Sequence, residues 1–177
     1  MDRRTFVLAL AAAPFGVRAA APASMKGIEE LQNNWKSFLP AGASVPSPSE
    51  PLKLSKEEWK KRLSPEAYKV LRDEGTERAG TSPLNAEKRD GIFACAGCGL
   101  PLFSSAAKYD SGTGWPSFWK ALPNAIATSS DMSWGMVRVE EHCRRCGGHL
   151  GHIFDDGPKP TGKRHCINGL SLTFRHA

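Results

Sequence analysis

Cys95-Ala96-Gly97-Cys98 and Cys143-Arg144-Arg145-Cys146 are two matched C-x-x-C pairs, and a glycine, Gly99 or Gly147, follows each of them. Paired C-x-x-C segments are typical of a closed, structural zinc site with four thiolate ligands in a tetrahedron. Glycine permits the tight turn that points backbone N–H groups at the sulfurs. The 44 residues between the pairs exceed the spacing of a simple zinc ribbon, so we expect the pairs on different hairpins. Two disulfides or a redox-active dithiol are the alternatives.

The fifth cysteine of the chain, Cys166, has no place in such a site. It lies in the segment Arg164-His165-Cys166-Ile167-Asn168. Because the thiolate is the nucleophilic form of cysteine, an arginine two residues away favours reactivity by lowering the thiol pKa. If the segment is a strand, Arg164, Cys166 and Asn168 point to the same side. Cys166 is therefore the candidate nucleophile, and a buried inert cysteine is the alternative.

Two further segments carry candidate functional residues. His149 and His152 lie three residues apart just after the second C-x-x-C pair. Histidine can donate a proton near neutral pH, with a metal-binding or purely structural role as the alternative. Trp115 stands between a glycine and a proline, where an aromatic ring either joins the core or lines a pocket. We assign Trp115 to a pocket, and we expect Phe118 and Trp119 in the core.

From Gly91 onward the sequence predicts an antiparallel β fold. Short segments rich in β-forming residues are separated there by Gly, Pro, Asp and Ser. Near the C-terminus Leu170, Leu172 and Phe174 alternate with polar residues, as in a half-buried strand. The expected strands are residues 92–94, 101–104, 133–139 and 167–174.

Two short helices are expected before these strands. Ser55 and Glu58 have the spacing of a capping box at the start of the first helix. Ser64 followed by Pro65 marks the start of the second helix. A stop signal follows at Gly75. The predicted fold class is mainly β, with short N-terminal helices and a structural zinc site.

The N-terminus looks like a twin-arginine export signal, with Arg3-Arg4 followed by an apolar run to about Val17. That run is shorter than the roughly 20 residues that span a bilayer. We expect the signal to be removed, which leaves a periplasmic protein with no membrane span. An uncleaved anchor in the membrane is the alternative. The predicted parts are a signal at 1–23, an extension and linker at 24–53 with a helical patch at 27–38, and a main domain at 54–177.

The charge of the chain argues against a nucleic-acid partner. The formal net charge is +6, and residues 1–23 carry a net +2 of it, so +4 remains after their removal. One divalent zinc bound by four thiolates lowers the charge by about two more. The remaining basic residues are scattered rather than clustered, which is not the pattern of a nucleic-acid-binding face.

Several motifs, in this order along the chain, resemble the B-type methionine sulfoxide reductases. The resemblance covers about residues 54–174. It implies two antiparallel sheets with a zinc site remote from the active centre. It also implies that the substrate is the R epimer of methionine sulfoxide within oxidised proteins. The segments that carry the resemblance are the two C-x-x-C pairs, KYDSGTGWPSF at 108–118, HLGHIFDDGP at 149–158 and RHCIN at 164–168.

The resemblance also implies roles for single residues. A thiolate at Cys166 attacks the sulfoxide sulfur while an acid protonates the oxygen, so that methionine leaves and a sulfenic acid remains. Trp115 would hold the methyl group, and Phe154 would also bind the substrate. The implied catalytic set is Cys166, His149, His152, Asn168 and Arg164.

One position departs from the family pattern. Many members carry a second cysteine before the pocket tryptophan, and that cysteine attacks the sulfenic acid; here the position is Thr113. We therefore expect an external thiol or a thioredoxin-like protein to reduce Cys166 directly, and we expect a monomer. A zinc-stabilised binding module without catalysis is the competing function, and the complete set around Cys166 argues against it.

Overall fold

The computed structural model describes residues 33–39, 41–132 and 137–176. The predicted export signal at 1–23 and the first part of the helical patch, 27–32, lie outside these residues. Trp35–Phe38 form a short 3-10 helix, which packs with Leu39 and Leu52 against the hydrophobic core. The described part of the extension therefore packs against the main domain. No helix within the described ranges is long and apolar enough to cross a membrane.

The two expected helices are present as α1 (Lys56–Arg62) and α2 (Pro65–Asp73). The capping box of α1 is complete, because the Ser55 hydroxyl accepts from the Glu58 N–H while the Ser55 N–H donates to the Glu58 carboxylate at 2.8 Å. The left-handed residue that ends α2 is Glu74, with φ 54°, rather than the predicted Gly75.

Nine strands make up the two sheets in the described part of the chain. A three-stranded sheet has the order β2-β1-β9, and a six-stranded sheet has the order β3-β4-β8-β7-β6-β5. Neighbouring strands are antiparallel throughout, so the predicted fold class is confirmed. The strands are β1 (Gly91–Cys95), β2 (Pro101–Ser104), β3 (Lys108–Tyr109), β4 (Ser117–Phe118), β5 (Ile126–Asp131), β6 (Arg138–Cys143), β7 (His149–Phe154), β8 (Arg164–Ile167) and β9 (Leu172–His176).

Two of the expected strands differ from the structure. The segment 167–174 is not one strand, because a 3-10 helix, Gly169–Ser171, separates β8 from β9. The buried carboxylate of Glu77 explains the break: it accepts the N–H groups of Gly169 at 2.6 Å and Leu170 at 2.9 Å, which a strand would have paired elsewhere. Of the expected strand 133–139, residues 133–136 lie outside the described chain, Val137 is not in a strand, and β6 begins at Arg138.

Aromatic rings join the two sheets. Phe93 of β1 and Phe103 of β2 pack against Phe118 of β4, with ring centroids 5.0 Å and 4.3 Å apart. All three are fully buried, and Trp119 is 7% exposed, as expected for core residues. Aromatic pairs of this kind contribute about 0.5–1.5 kcal/mol beyond the area that they bury. These contacts fix the six-stranded sheet over the smaller sheet. The packing between the sheets thereby supports β8 and the Cys166 segment.

Candidate active site and metal centre

The four C-x-x-C cysteines form one buried cluster. Their sulfur atoms all lie within 4.8 Å of one another, with 3.7 Å between Cys95 and Cys146 and 3.5 Å between Cys98 and Cys143. A tetrahedral zinc ion with Zn–S bonds of about 2.3 Å requires sulfurs about 3.8 Å apart. The cluster therefore fits a closed four-thiolate zinc site with no position open to a substrate.

The two halves of this centre have the same local geometry. Gly99 and Gly147 have φ of +72° and +65°, a conformation that residues with a side chain rarely adopt. Their N–H groups donate to the carbonyls of Cys95 and Cys143 at 2.7 Å and 2.8 Å. One half follows β1 of the small sheet and the other follows β6 of the large sheet, so a bound metal ties the two sheets together.

Cys166 lies on β8 beside a pocket of about 150 Å³. A cavity of this size can hold a group as large as benzene. Five of the predicted site residues line it: Cys166, Trp115, Phe154, His152 and Asn168. The structure thus brings together side chains that are far apart in the sequence, on β7, β8 and the loop before β4.

The indole of Trp115 is fixed from behind. Its Nε1–H donates to the carbonyl oxygen of Glu77 at 3.1 Å, and the N–H of Glu77 donates to Asn168 Oδ1 at 3.0 Å. The amide nitrogen of Asn168 donates to the Leu150 carbonyl at 3.1 Å. Asn168 therefore lines the pocket with both ends of its amide engaged by backbone groups. This arrangement lets Asn168 help to position Trp115, and its predicted catalytic role stays a prediction.

His152 is the histidine next to the thiol. It is the cross-strand partner of Cys166 in the pairing of β7 with β8. Its Nε2 lies 2.8 Å from a carboxylate oxygen of Asp131, and Arg138 donates to the same oxygen at 2.7 Å. The carboxylate partner therefore fixes the orientation of the imidazole.

His149 lies next to His152 but does not line the pocket beside Cys166. It lines an adjoining cavity of about 490 Å³, and its ring centroid is 5.6 Å from that of His152. Its Nδ1 lies 2.7 Å from Glu140 Oε1. Burial raises the pKa of Glu140, but the hydrogen bonds with His149 and Ser129 outweigh it, so that the pKa falls below its ordinary value. Glu140 is therefore ionised at neutral pH, which orients the buried His149.

Arg164 acts on the pocket through Phe154. Its guanidinium lies 4.3 Å from the centroid of the Phe154 ring and makes two hydrogen bonds of 2.8 Å with the carboxylate of Asp156. A guanidinium held by two parallel bonds has a fixed plane. It therefore holds the Phe154 ring in place as a wall of the pocket.

Arg164 lowers the pKa of the Cys166 thiol, as the sequence predicts, but this effect does not make Cys166 a low-pKa thiol. Burial raises the pKa of the Cys166 thiol above its ordinary value. A hydrogen bond with Thr113 and the charge of Arg164 act in the opposite direction without cancelling this effect. The free protein therefore carries Cys166 mainly as a thiol at neutral pH.

The acidic partners were not found from the sequence. Glu77, Asp131 and Glu140 belong to no motif with a recognisable spacing, and each meets its partner only through the fold. Asp156 lies within the segment 149–158, but its pairing with Arg164 was not predicted. The one available signal was the adjacency of Asp155 and Asp156 to the histidine segment. The contacts of Glu77 span more than 90 residues of sequence, so no local pattern could have predicted them.

The fold and the site define a mainly β protein with a four-cysteine cluster that can hold a metal ion and, apart from it, a cysteine in an aromatic pocket beside a carboxylate-bound histidine. Residues 63–176 match the model of the SelR domain. The chain belongs to the SelR family, that of the B-type methionine sulfoxide reductases, and the family predicted from the sequence is confirmed.

Relatives of known name agree with this assignment. The peptide methionine sulfoxide reductase MsrB of Thiobacillus denitrificans is 55% identical over 118 residues, which are 66% of this chain and 89% of that protein. The protein of the same name from Methanosarcina barkeri is 53% identical over 122 residues, 68% of this chain and 86% of its own. The mitochondrial methionine-R-sulfoxide reductase B3 of Mus musculus is 48% identical over 140 residues, 78% of this chain and 55% of that protein.

Proposed function

We propose that this enzyme reduces methionine R-sulfoxide in oxidised proteins, with Cys166 as the nucleophile. The observation that carries the proposal is the pocket that contains Cys166, Trp115 and His152 together. The other four cysteines are gathered in the metal cluster, which leaves Cys166 as the thiol available for chemistry. The relatives are named for reduction of methionine sulfoxide, which agrees with this chemistry.

The reaction needs a thiolate and an acid at once. The Cys166 thiolate forms a bond with the sulfoxide sulfur while the oxygen takes a proton, for which His152 is the proposed donor. The bond between the oxygen and the methionine sulfur and the transient S–S bond then break as the hydroxyl moves to the cysteine, which leaves a sulfenic acid, Cys166–S–OH, and free methionine thioether. The cross-strand pairing of His152 with Cys166 supports this division of roles. Asp131 holds the imidazole in position for the transfer.

The shape of the pocket supports selection of one epimer. A sulfoxide sulfur carries an oxygen, a methyl group, the rest of the side chain and a lone pair, so it is chiral. Trp115 and Phe154 form an apolar wall for the methyl group, and His152 lies on the polar side. With the peptide outside, only one epimer can point its oxygen at His152 and its sulfur at the thiol.

The metal that we propose for the cysteine cluster is zinc, in a structural role. The residues that would hold it are the four cysteines whose sulfurs lie within 4.8 Å of one another. Zinc bound by four thiolates keeps no open position, so it supplies cohesion and takes no part in the reduction. The active pocket is built from a single chain, and we propose that the protein acts as a monomer.

Single-turnover reduction of the two epimers tests the proposed function. Purified protein without added thiol is mixed with a peptide that contains either methionine R-sulfoxide or methionine S-sulfoxide. About one equivalent of the R peptide is expected to be reduced per chain, and the S peptide should stay oxidised within the same time. Equal reduction of both epimers, or reduction of neither, would contradict the proposal.

The recycling step is tested at Thr113, whose Oγ1 lies 3.9 Å from Cys166 Sγ. After one turnover without thiol, the wild-type protein is expected to hold a sulfenic acid that a dimedone probe traps on Cys166. In the variant Thr113→Cys, the new thiol should attack this sulfenic acid, release water and form a disulfide with Cys166. Mass spectrometry distinguishes the two products. A disulfide between Cys166 and a cluster cysteine in the wild-type protein would show that the metal ligands resolve the intermediate.

The location that we propose is the periplasm, after export through the twin-arginine route. This proposal is based on the pair Arg3-Arg4, which precedes a short apolar run. Replacing both arginines by lysine should leave the unprocessed precursor in the cytoplasm, as seen by fractionation and immunoblotting. Normal export of this double variant would contradict the route, and full-length wild-type protein in the membrane fraction would favour the uncleaved anchor.

A further inference from the structure

A row of hydroxyl groups leads from the Cys166 thiol into the loop before β4. Thr113 Oγ1 lies 3.9 Å from Cys166 Sγ. Ser111 Oγ lies 2.8 Å from Thr113 Oγ1 and 2.7 Å from Ser117 Oγ. The Ser117 hydroxyl can donate to the carbonyl oxygen of Trp115 at 3.1 Å. We refer to Thr113, Ser111 and Ser117 as the hydroxyl chain.

The hydroxyl chain can reverse its direction when the thiol loses its proton. A hydroxyl group donates one hydrogen bond, can accept two, and rotates to suit its neighbours. While Cys166 is protonated, each group can donate to the next, and the last hydrogen bond ends on the Trp115 carbonyl. When Cys166 is a thiolate, Thr113 donates to the sulfur and Ser111 donates to Thr113. The anion thus gains a donor without displacement of any heavy atom.

We propose that Thr113 is a catalytic hydrogen-bond donor to the Cys166 thiolate, oriented by Ser111 and Ser117. This proposal rests on the proposed function, in which Cys166 is the nucleophile. It assigns a positive role to the residue that replaces a cysteine of other family members. Among the hydroxyls Thr113 has the largest effect on the reacting sulfur, and the hydroxyl of Ser117 also contacts it. Ser111 acts through these two hydroxyls.

The surroundings of Cys166 make such a donor necessary. Cys166 is only partly exposed and Ser117, its cross-strand neighbour on β4, is fully buried, so little water reaches the sulfur from this side. Burial is the largest effect on the thiol and raises its pKa, and the hydrogen bond with Thr113 is the largest effect that lowers it. Hydrogen bonds to an ionised group are roughly twice as strong as those between neutral groups.

Charged groups around the sulfur do not replace the hydroxyl chain. The guanidinium of Arg164 lowers the pKa of the thiol by its charge and a hydrogen bond, but it is shared with Asp156. His152 and Arg138 both contact Asp131. A neutral donor in contact with the sulfur works alongside these charges and loses less strength in salt. The titratable and charged side chains that face Cys166 from the surrounding elements are Arg164 on β8, Asp156 after β7, Tyr109 on β3, His152 on β7 and Arg138 on β6.

The test measures alkylation of Cys166 by iodoacetamide as a function of pH, with mass spectrometry to follow the Cys166 peptide. Thr113→Val keeps the shape of the side chain and removes the donor. It is expected to slow alkylation near pH 7 about tenfold and to move the rise of the rate to higher pH. Thr113→Ser should restore the rate to within about twofold, because the hydroxyl returns. Ser111→Ala should slow alkylation less than Thr113→Val does.

A matched control is available in the other sheet. Thr173 lies on β9, and its hydroxyl donates to the Ala94 carbonyl at 3.5 Å. Thr173→Val should alkylate at the wild-type rate. An unchanged rate–pH profile in Thr113→Val, or an equal loss in Thr173→Val, would overturn the proposal. If Thr113→Val does not fold, as judged by circular dichroism, Ser111→Ala decides, and a wild-type profile in that variant overturns the proposal.

The result is separable from the proposed function, because alkylation requires no sulfoxide. A wild-type protein that fails to reduce methionine R-sulfoxide contradicts the proposed function. The hydroxyl chain would still be supported if Thr113→Val then slowed alkylation and Thr113→Ser restored it. Conversely, normal sulfoxide reduction together with an unaffected Thr113→Val variant would remove the hydroxyl chain and leave the proposed function intact.

Discussion

Replacement of Cys166 by serine is expected to abolish the reduction of methionine R-sulfoxide. Serine keeps nearly the same shape in the pocket, but its hydroxyl stays protonated at neutral pH and is a far weaker nucleophile than a thiolate. A loss on the order of 10⁴-fold or more is expected, as when other covalent nucleophiles are removed. The measurement is single-turnover reduction of the R-sulfoxide peptide.

The same variant serves as its own structural control. Cys166 lies outside the metal cluster, so Cys166→Ser should bind metal in the wild-type amount. It should also unfold within roughly 4 °C of the wild type, because the exchange is nearly isosteric. Appreciable turnover by a folded Cys166→Ser protein would show that another group attacks the sulfoxide, and the assignment of the nucleophile would then be wrong.

Local sequence patterns predicted those parts of the protein that are made by local interactions. The capping box at Ser55 and Glu58 needs contacts over only three residues, and it is present as expected. The C-x-x-C pairs likewise carry their own turn, and the positive φ of Gly99 and Gly147 follows from that turn. In both cases the residues that interact are also neighbours in the sequence.

The pocket shows why other features could not be predicted. The strand 167–174 was expected because Leu170, Leu172 and Phe174 alternate, but Glu77 removes the backbone donors that such a strand needs. Glu77 meets them across more than 90 residues of chain, which no periodicity reveals. A polar contact formed only in the folded state thus outweighed the local hydrophobic pattern.

The pKa of the Cys166 thiol could not be predicted from the sequence for a related reason. The sequence places Arg164 two residues from Cys166, and the short separation suggested a lowered thiol pKa. In the structure Arg164 contacts Asp156 and Phe154. Burial raises the pKa of the thiol by more than the arginine lowers it. Spacing along a strand predicts which residues share a face. It does not predict how exposed they are to water or which residues they contact in the folded protein.

Loss of the metal is expected to have the largest effect on stability. In the variant Cys143→Ser the cluster keeps three thiols, and the protein should lose bound zinc and most of its resistance to unfolding. Structural zinc contributes on the order of 10 kcal/mol of binding energy coupled to folding, whereas whole domains are stable by only about 5–15 kcal/mol. Elemental analysis and thermal unfolding measure the two effects. Cys166→Ser is the matched control, because it exchanges the same atoms outside the cluster.

The position of the cluster determines how loss of the metal should affect the active site. A metal bound by the four cysteines would tie the turn after β1 to the turn after β6, and His149 follows Cys146 by three residues at the start of β7. The pocket beside Cys166 contains no cluster cysteine. Activity of Cys143→Ser should therefore fall in step with the folded fraction as temperature rises, and cooling should restore part of it. A metal-free variant with the wild-type melting temperature would contradict the structural role, and a folded but inactive one would show that the metal takes part in the reaction.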